Sequence, residues 1–309
     1  MLKDRMLREK LNDIVSGKVL FDEPMSRHTS MRVGGMADAL VFPGSPDELS
    51  RILNILQYLQ IPFIPIGNGT NLIVKDGGYR GVVISLKDIK NISMMERCAD
   101  QVSIYAEAGI ALSEIVILAA EQSLTGMEFC AGIPGSIGGA VKMNAGAYGT
   151  EIKDTIEAVE LMNGRGKIRE CKRDILKFSY RNLDLPEGAI ITGALFLLRR
   201  GIKEHIQSRI TEIIGLRKAK HPLEYHSAGS VFKNPPGGIS AGQIIDEIGL
   251  KGAQIGGARI SEKHGNFIVN CGNAKARDII ALIGMVKKKV KEERGINLET
   301  EVKIIGEDG

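Results

Sequence analysis

Seven glycines fall within the 24 residues from 126 to 149: Gly126, Gly132, Gly135, Gly138, Gly139, Gly146 and Gly149. The stretch reads AGIPGSIGGA and then MNAGAYG, glycine interleaved with small apolar residues. Such backbone suits tight turns, or main chain laid directly against a flat or extended ligand. It is not a dinucleotide fingerprint: no GxGxxG follows a strand, opens a helix and precedes an acid by about 20 residues. The enrichment extends through the chain, since 37 glycines in 309 residues are about 12%, against a usual share of about 7%.

Two further clusters stand out. Gly67-Asn68-Gly69-Thr70-Asn71 follows an apolar strand. Successive N–H groups in such a turn form an anion nest to which Thr70 and Asn71 add side-chain donors, and a diphosphate is its natural guest. A plain tight turn fits the same residues. The other cluster, SAGSVFKNPPGG from Ser227 to Gly238, puts Ser230 on a constrained turn. It lacks the flanking glycines of a hydrolase nucleophile elbow.

Composition bounds the function classes. A hydrophobic share of 43%, with 25% charged residues, is that of a globular chain. A net charge of +4 is too mild to argue for nucleic acid, though an anionic small ligand would be welcome. No apolar run approaches the roughly 18 residues of a membrane helix, and the N-terminus has no signal-type h-region. A cytoplasmic protein is expected. Cys98, Cys130, Cys171 and Cys271 are scattered without a paired spacing, which gives no metal signature. His205 and His221 read as surface residues. The basic run Lys287-Lys288-Lys289 reads as the solvated side of an amphipathic helix.

Along the chain, Ser45-Pro46-Asp47-Glu48 has capping-box spacing, and Leu49, Ile52, Leu53, Leu56 and Leu59 form a helical stripe. Strands are expected at 61–66, 82–86 and 102–106, and a helix at 112–122. Beyond a boundary at Arg199-Arg200-Gly201 come helices at 206–214, 241–248 and 276–294, the last stopped by Gly295. A strand at 266–270 and a closing strand at 298–305 complete the pattern. This predicts an α+β chain: residues 1–202 as one domain in two lobes, about 1–86 and 87–202, and 203–309 as a smaller α+β domain.

Taken together, PIGNGTNLIVKDGGYRGVVI, EFCAGIPGSIGGAVKMNAGAYG, FSYRN, PLEYHSAGSVFKNP, AGQIIDEIGLKGAQIGGARISEKHGNFIVN and LETEVKIIG resemble the UDP-N-acetylenolpyruvoylglucosamine reductases (MurB). These segments run in order over nearly the whole chain. The span from Arg181 to Ser230 is short, which resembles the subclass without a tyrosine-loop insertion. The resemblance implies a two-lobed FAD-binding domain of the vanillyl-alcohol-oxidase type followed by a substrate-binding domain. It implies NADPH as hydride donor, UDP-N-acetylglucosamine enolpyruvate as substrate, and a step of peptidoglycan precursor synthesis. A monomer is expected, with no nucleic-acid or membrane partner and no metal.

Carried over position by position, Ile66, Gly67, Asn68, Gly69, Thr70, Asn71 and Leu72 match the loop that holds the FAD diphosphate. Gly132, Ile133, Pro134, Gly135, Ser136, Gly138, Gly139, Asn144, Gly146 and Ala147 match the segment against the flavin. Arg181 matches the substrate-activating arginine, Ser230 the proton donor and Glu301 the catalytic glutamate. Tyr180, Lys218, Asn234 and His264 match substrate contacts, Lys220 competing with Lys218 for the diphosphate. His226 stands where the family often has proline, and Leu183 where a small polar residue is common.

The implied chemistry suits these residue types. Hydride from the reduced flavin N5 to the enol ether's terminal carbon drives negative charge onto the neighbouring carboxylate. A planar, permanently charged arginine can grip that carboxylate in bidentate fashion. Glu301 would donate in its protonated form or orient Arg181, and Ser230, held in place, would protonate the adjacent carbon. From the residues alone, Arg181 reads equally as a salt-bridge residue and Ser230 as a turn cap. Strand alternation leaves Glu299 and Glu301 on one face without choosing between them. No histidine lies in 66–74 to tether a flavin, so FAD is expected to be non-covalent. Two other readings are an FAD-dependent oxidase of another small substrate and a nucleotide-binding module without catalysis.

Overall fold

A computed structural model of the chain describes residues 2–309, with side chains described from Met6 onward. The chain forms two compact units, each assembled from separated stretches. The first comprises the N-terminal segment through Phe21, Ala39–Asn68 and Gly81–Gly215; the second comprises Asp22–Asp38, Gly69–Arg80 and Leu216–Gly309. The compact units therefore do not follow a linear division at residue 202.

The first unit holds two hydrophobic cores. One gathers Leu49, Ile52, Leu53, Leu56 and Leu59 with Val82 and Ile84. These five residues are the apolar stripe of helix Pro46–Leu59, whose start is fixed as the spacing predicts: Ser45 Oγ accepts from Glu48 N at 3.2 Å. The Glu48 carboxylate turns elsewhere. It is buried, and it accepts from Ser16 N at 2.7 Å, Ser16 Oγ at 2.9 Å and Gly44 N at 3.1 Å. Three donors offset the cost of taking a carboxylate out of water. Strand Phe63–Ile66 runs parallel to Tyr79–Ser85 in a sheet whose order continues through Met36–Phe42 to Lys18–Pro24.

The second core lies against an antiparallel sheet of order Ile168–Lys172, Ile156–Met162, Ile190–Arg200, Gln101–Glu107, Ile92–Cys98. Helix Leu112–Glu121 and the short helix Ile137–Lys142 contribute to this core. The glycine-rich run enters that helix by docking on residues 108–112: Leu112 N donates to Gly135 O, Ile137 N to Ile110 O and Gly138 N to Ala108 O.

In the second unit, strands His226–Ser230, Phe267–Asn270, Ala258–Ile260 and Gln254–Ile255 form an antiparallel sheet. Helix Ala276–Arg294 lays Ile279, Leu282, Ile283, Val286 and Val290 into the core and ends at Gly295 in the left-handed conformation. Its first amides are satisfied from 200 residues away. Asp76 Oδ1 accepts from Ala276 N at 2.9 Å, and Asp76 Oδ2 from Arg277 N at 3.0 Å. A carboxylate at that end also complements the helix dipole.

The closing strand is shorter than alternation predicts. Only Lys303–Ile305 is strand, paired in parallel with Leu72–Val74, while the chain bends at Glu301 and Val302. Asp76→Ala should destabilise the protein by about 2 kcal/mol, the scale of a lost cap with two charge-assisted bonds. Chemical denaturation checks this, with Asp76→Asn expected to fall between the two.

Candidate active site

In the second unit the structure brings together three of the segments singled out in the sequence. Ser230 ends a strand that pairs with Phe267–Asn270, and the register slips between Ser227 and Ser230. Ser230 thus sits on a bulged strand rather than the turn expected from Gly229-Ser230. Gly229 supplies the bulge with a φ of 72°, a conformation that glycine adopts at least cost. Bulges re-aim the side chain that follows.

The next residue joins the serine to the glutamate. Glu301 N donates to Val231 O at 2.8 Å, and Val231 N donates to Asn266 O at 2.9 Å. Asn266, itself buried, accepts from Phe232 N through Oδ1 and donates to Phe232 O through Nδ2, both at 2.8 Å. Asn71 completes the cluster: its Nδ2 donates to Glu301 O at 3.2 Å, and its carbonyl accepts from Lys303 N at 3.0 Å. The Gly69–Leu72 part of the first loop is therefore bonded to the glutamate segment. The structure also separates the two glutamates that alternation left equivalent. Glu299 is exposed and paired with Lys233 at 3.1 Å, whereas Glu301 is partly buried in the bend.

In the first unit the glycine-rich segment gathers round Arg181. Residues Tyr180 and Arg181 form the two-residue connection between Phe178–Ser179 and Asn182–Leu183. Arg181 has a φ of 58°, sparsely populated for a side chain of this size. Its Nη2 donates to Gly146 O at 2.9 Å, and its guanidinium lies 4.9 Å from the Tyr180 ring centre. Asn144 is fully buried and donates to Ser179 O and Glu151 Oε2, each at 3.0 Å. Lys142 Nζ reaches Asn182 Oδ1 at 3.1 Å and Leu183 O at 2.6 Å.

Ile66, Gly67 and Asn68 lie in this unit too. Gly67 rests on Ser136, where an added Cβ would collide with Oγ. That Oγ is buried and has no hydrogen-bond partner. Around it, Gly132, Pro134 and Gly139 are exposed while Ser136, Ile137 and Gly138 are buried. Ile133, Gly135 and Ala147 are partly exposed between them.

The expected substrate contacts are placed as follows. Tyr180 and Lys218 are exposed, and the Lys218 carbonyl accepts from Lys263 Nζ at 2.7 Å. Asn234 is also exposed, with its Oδ1 accepting from Ala241 N at 3.0 Å. His264 accepts at Nδ1 from Asn266 N at 3.2 Å, which leaves the proton of the neutral ring on Nε2. Burial holds the ring neutral by lowering its pKa, with Lys251 and Lys220 adding to the effect.

His221 is not the surface residue expected. Its ring packs 5.0 Å from Phe267 and 5.5 Å from His264. Burial first, then the cations of Arg217, Lys263 and Lys220 and the neighbouring His264, lower its pKa to about 4. A basic helix end carries no sequence sign that the next histidine turns inward. Glu151 and Asn266 were also missed. The only cue to Glu151 is an acid two residues after the glycine-rich run.

Because the folded His221 binds its proton more weakly than a free histidine, the unfolded chain holds more protons between about pH 6.5 and about 4. Its contribution is present above that window and is lost as pH falls through it. Denaturation at pH 7, 5.5 and 4.5 should show a shallower loss of stability in His221→Asn than in the parent.

Comparison with known proteins adds an independent line. An FAD binding domain family matches residues 37–172, and the C-terminal domain family of UDP-N-acetylenolpyruvoylglucosamine reductase matches residues 221–305. The UDP-N-acetylenolpyruvoylglucosamine reductase of Syntrophus aciditrophicus is 51% identical over 309 residues, 100% of this chain and 99% of that protein. The protein of that name from Caldanaerobacter subterraneus subsp. tengcongensis is 47% identical, over 98% of this chain and 99% of its own. The crystal structure of UDP-N-acetylenolpyruvylglucosamine reductase (MurB) from Thermus caldophilus superposes with a TM-score of 0.78 at 36% identity. It covers 94% of this chain and 98% of that one.

Proposed function

This chain belongs to the UDP-N-acetylenolpyruvoylglucosamine reductase family, and from that premise we propose how its residues carry the family's reaction. The reaction is the NADPH-dependent reduction of UDP-N-acetyl-3-O-(1-carboxyvinyl)-glucosamine to UDP-N-acetylmuramate, a step of peptidoglycan precursor synthesis. The observation that carries the assignment is the bond from Glu301 N to Val231 O, which fixes the glutamate segment beside the residue that follows Ser230.

The residues present fit an FAD. Ser136 offers a buried hydroxyl that no protein group satisfies, beside Gly67 and between the exposed backbone of Gly132 and Gly139. A buried polar atom without a partner calls for an explanation, and a non-covalent cofactor supplies one. Residues 66–72 and 132–139, with Asn144, Gly146 and Ala147, would hold it. Bound there and reduced by NADPH, FAD would supply hydride for the terminal carbon of the vinyl group.

The chain's own side chains manage the charge and the proton. Arg181 grips the substrate carboxylate, where negative charge gathers as the hydride arrives. Glu301, in its protonated form, donates a hydrogen bond to the same charge; the substrate's own carboxylate favours that form. Ser230 Oγ gives its proton to the adjacent vinyl carbon, the one that bears the carboxylate and the ether oxygen. A serine is a weak acid, but an enolate is a strong base and a hydroxyl held beside it would need no further activation.

Tyr180, Lys218, Asn234 and His264 hold the nucleotide sugar, His264 as a neutral Nε2–H donor. We assign FAD binding chiefly to residues 1–202 and substrate binding to 203–309. Among the described residues no helix is long and apolar enough to cross a membrane. We read the enzyme as a cytoplasmic monomer.

The decisive experiment separates the half-reactions. The purified protein should show a flavin absorbance band that NADPH bleaches anaerobically and the enolpyruvyl nucleotide restores. Failure of the nucleotide to restore it would refute the assignment. Ser230→Ala should leave bleaching by NADPH intact and slow the restoration by about 10²–10⁴-fold, the range for general acid catalysis. Equal loss of both half-reactions would remove Ser230 from the proton-donor role. Ser136→Ala should leave the stability of the FAD-free protein unchanged but weaken FAD binding about tenfold, as a lost hydrogen bond would. An unchanged FAD affinity would separate Ser136 from the cofactor.

A further inference from the structure

Arg181 takes a left-handed backbone conformation in its two-residue turn, and groups outside that turn hold its guanidinium. A non-glycine residue at φ 58° persists only where its surroundings over-determine it. We propose that Glu151 is a positioning residue for Arg181, holding the guanidinium in place before the substrate carboxylate arrives. The proposal rests on the reading of Arg181 as the group that grips that carboxylate.

The two oxygens of Glu151 divide the work. Oε2 accepts from Asn144 Nδ2 at 3.0 Å and pairs with Lys153 Nζ at 2.5 Å. Oε1 faces Arg181 Nη1 at 3.7 Å. A carboxylate tied through one oxygen cannot rotate freely, so the other presents a fixed negative pole. At 3.7 Å the attraction to Nη1 is that of an ion pair rather than a hydrogen bond. Both side chains are mostly enclosed, with 18% of Arg181 and 19% of Glu151 exposed, so solvent screens the pair less than it would on the open surface.

The backbone supports the same reading. Strand Thr150–Glu151 pairs with Gly146–Ala147 so that Glu151 stands opposite Gly146. The carbonyl that accepts from Arg181 Nη2 and the carboxylate that faces Nη1 therefore come from directly paired residues. Gly146 makes the approach possible. A Cβ there would lie 2.8 Å from Glu151 Cγ and 3.2 Å from Arg181 Nη1. Asn144 links the device to the turn itself, since the same Nδ2 also donates to Ser179 O, two residues before Arg181. Glu151 is thereby bonded to the segment expected to lie against the flavin and paired with the arginine expected to meet the substrate.

The test uses the FAD-loaded protein, reduced by NADPH without oxygen and mixed rapidly with the enolpyruvyl nucleotide. Glu151→Gln keeps the shape and an acceptor for Asn144 but removes the charge; Glu151→Ala removes both. Both variants should be reduced by NADPH at the parental rate. Reoxidation should slow about tenfold in Glu151→Gln and about a hundredfold in Glu151→Ala, the scale expected when a reacting group is misplaced by an ångström. The fall should appear in kcat more than in KM.

In an Arg181→Ala background the Glu151→Ala change should have no further effect, because residues that act through one another are not additive. Independent, multiplying losses would overturn the proposal. If Arg181→Ala alone leaves reoxidation unchanged, the reading of Arg181 fails instead. A crystal structure of Glu151→Ala then decides the positioning role by itself. Arg181 should leave Gly146 O, and an undisplaced arginine would overturn the proposal. Should Glu151→Ala not fold, Glu151→Gln carries the same comparisons.

Discussion

The hydrogen bond from the Glu301 amide to the Val231 carbonyl is the constraint on which the arrangement of the second unit's candidate site depends. It holds two segments seventy residues apart so that a serine and a glutamate fall on neighbouring stretches of main chain. The bond is not isolated. Asn266 closes the far side with three hydrogen bonds to Val231 and Phe232, and Asn71 reaches the carbonyl of Glu301 from the glycine loop. A buried polar network satisfied in this way is rigid, because each partner would be left unsolvated if it moved. The bulge at Gly229 aims Ser230 from that fixed frame.

How far this was legible in the sequence follows from the range of the interactions involved. Helices Pro46–Leu59 and Ala276–Arg294 could be read directly, because an apolar period, a cap and a stop are all local signals. The glycine-rich run could be located for the same reason, since composition is a local signal. Arg181, Ser230 and Glu301 were singled out by resemblance; spacing alone could not tell Glu301 from Glu299. The structure distinguishes them because the chain changes partners there. Residue 300 bridges to Phe232, whereas Lys303–Ile305 pairs with Leu72–Val74, and the switch bends the backbone at Glu301. An alternation rule assumes one continuous ladder and cannot see such a change.

The misses share that cause. Asp76 caps a helix from 200 residues away, His221 turns inward onto Phe267, and Glu151 matters through a hairpin partner and a buried asparagine. None of these relations has a period or a motif. The treatment of charge also differs between sites. Glu48 and Glu151 are enclosed and held by several donors each, whereas Glu299 stays exposed with one lysine. An exposed pair of the latter kind contributes little.

The interleaving of the two units bears on how the protein is made. The first unit has all its segments once residue 215 has been synthesised, so its long antiparallel sheet can form while later residues are still to come. The second unit cannot. Its stretches 22–38 and 69–80 emerge early, yet the partners of residues 72–78, strand Lys303–Ile305 with Glu307 and Asp308, are made more than two hundred residues later. Strand Leu72–Val74 must therefore wait, unpaired and apolar, through the synthesis of more than two hundred residues. The nascent chain carries an open strand edge throughout that interval, and chaperone binding or aggregation at that edge would compete with native pairing.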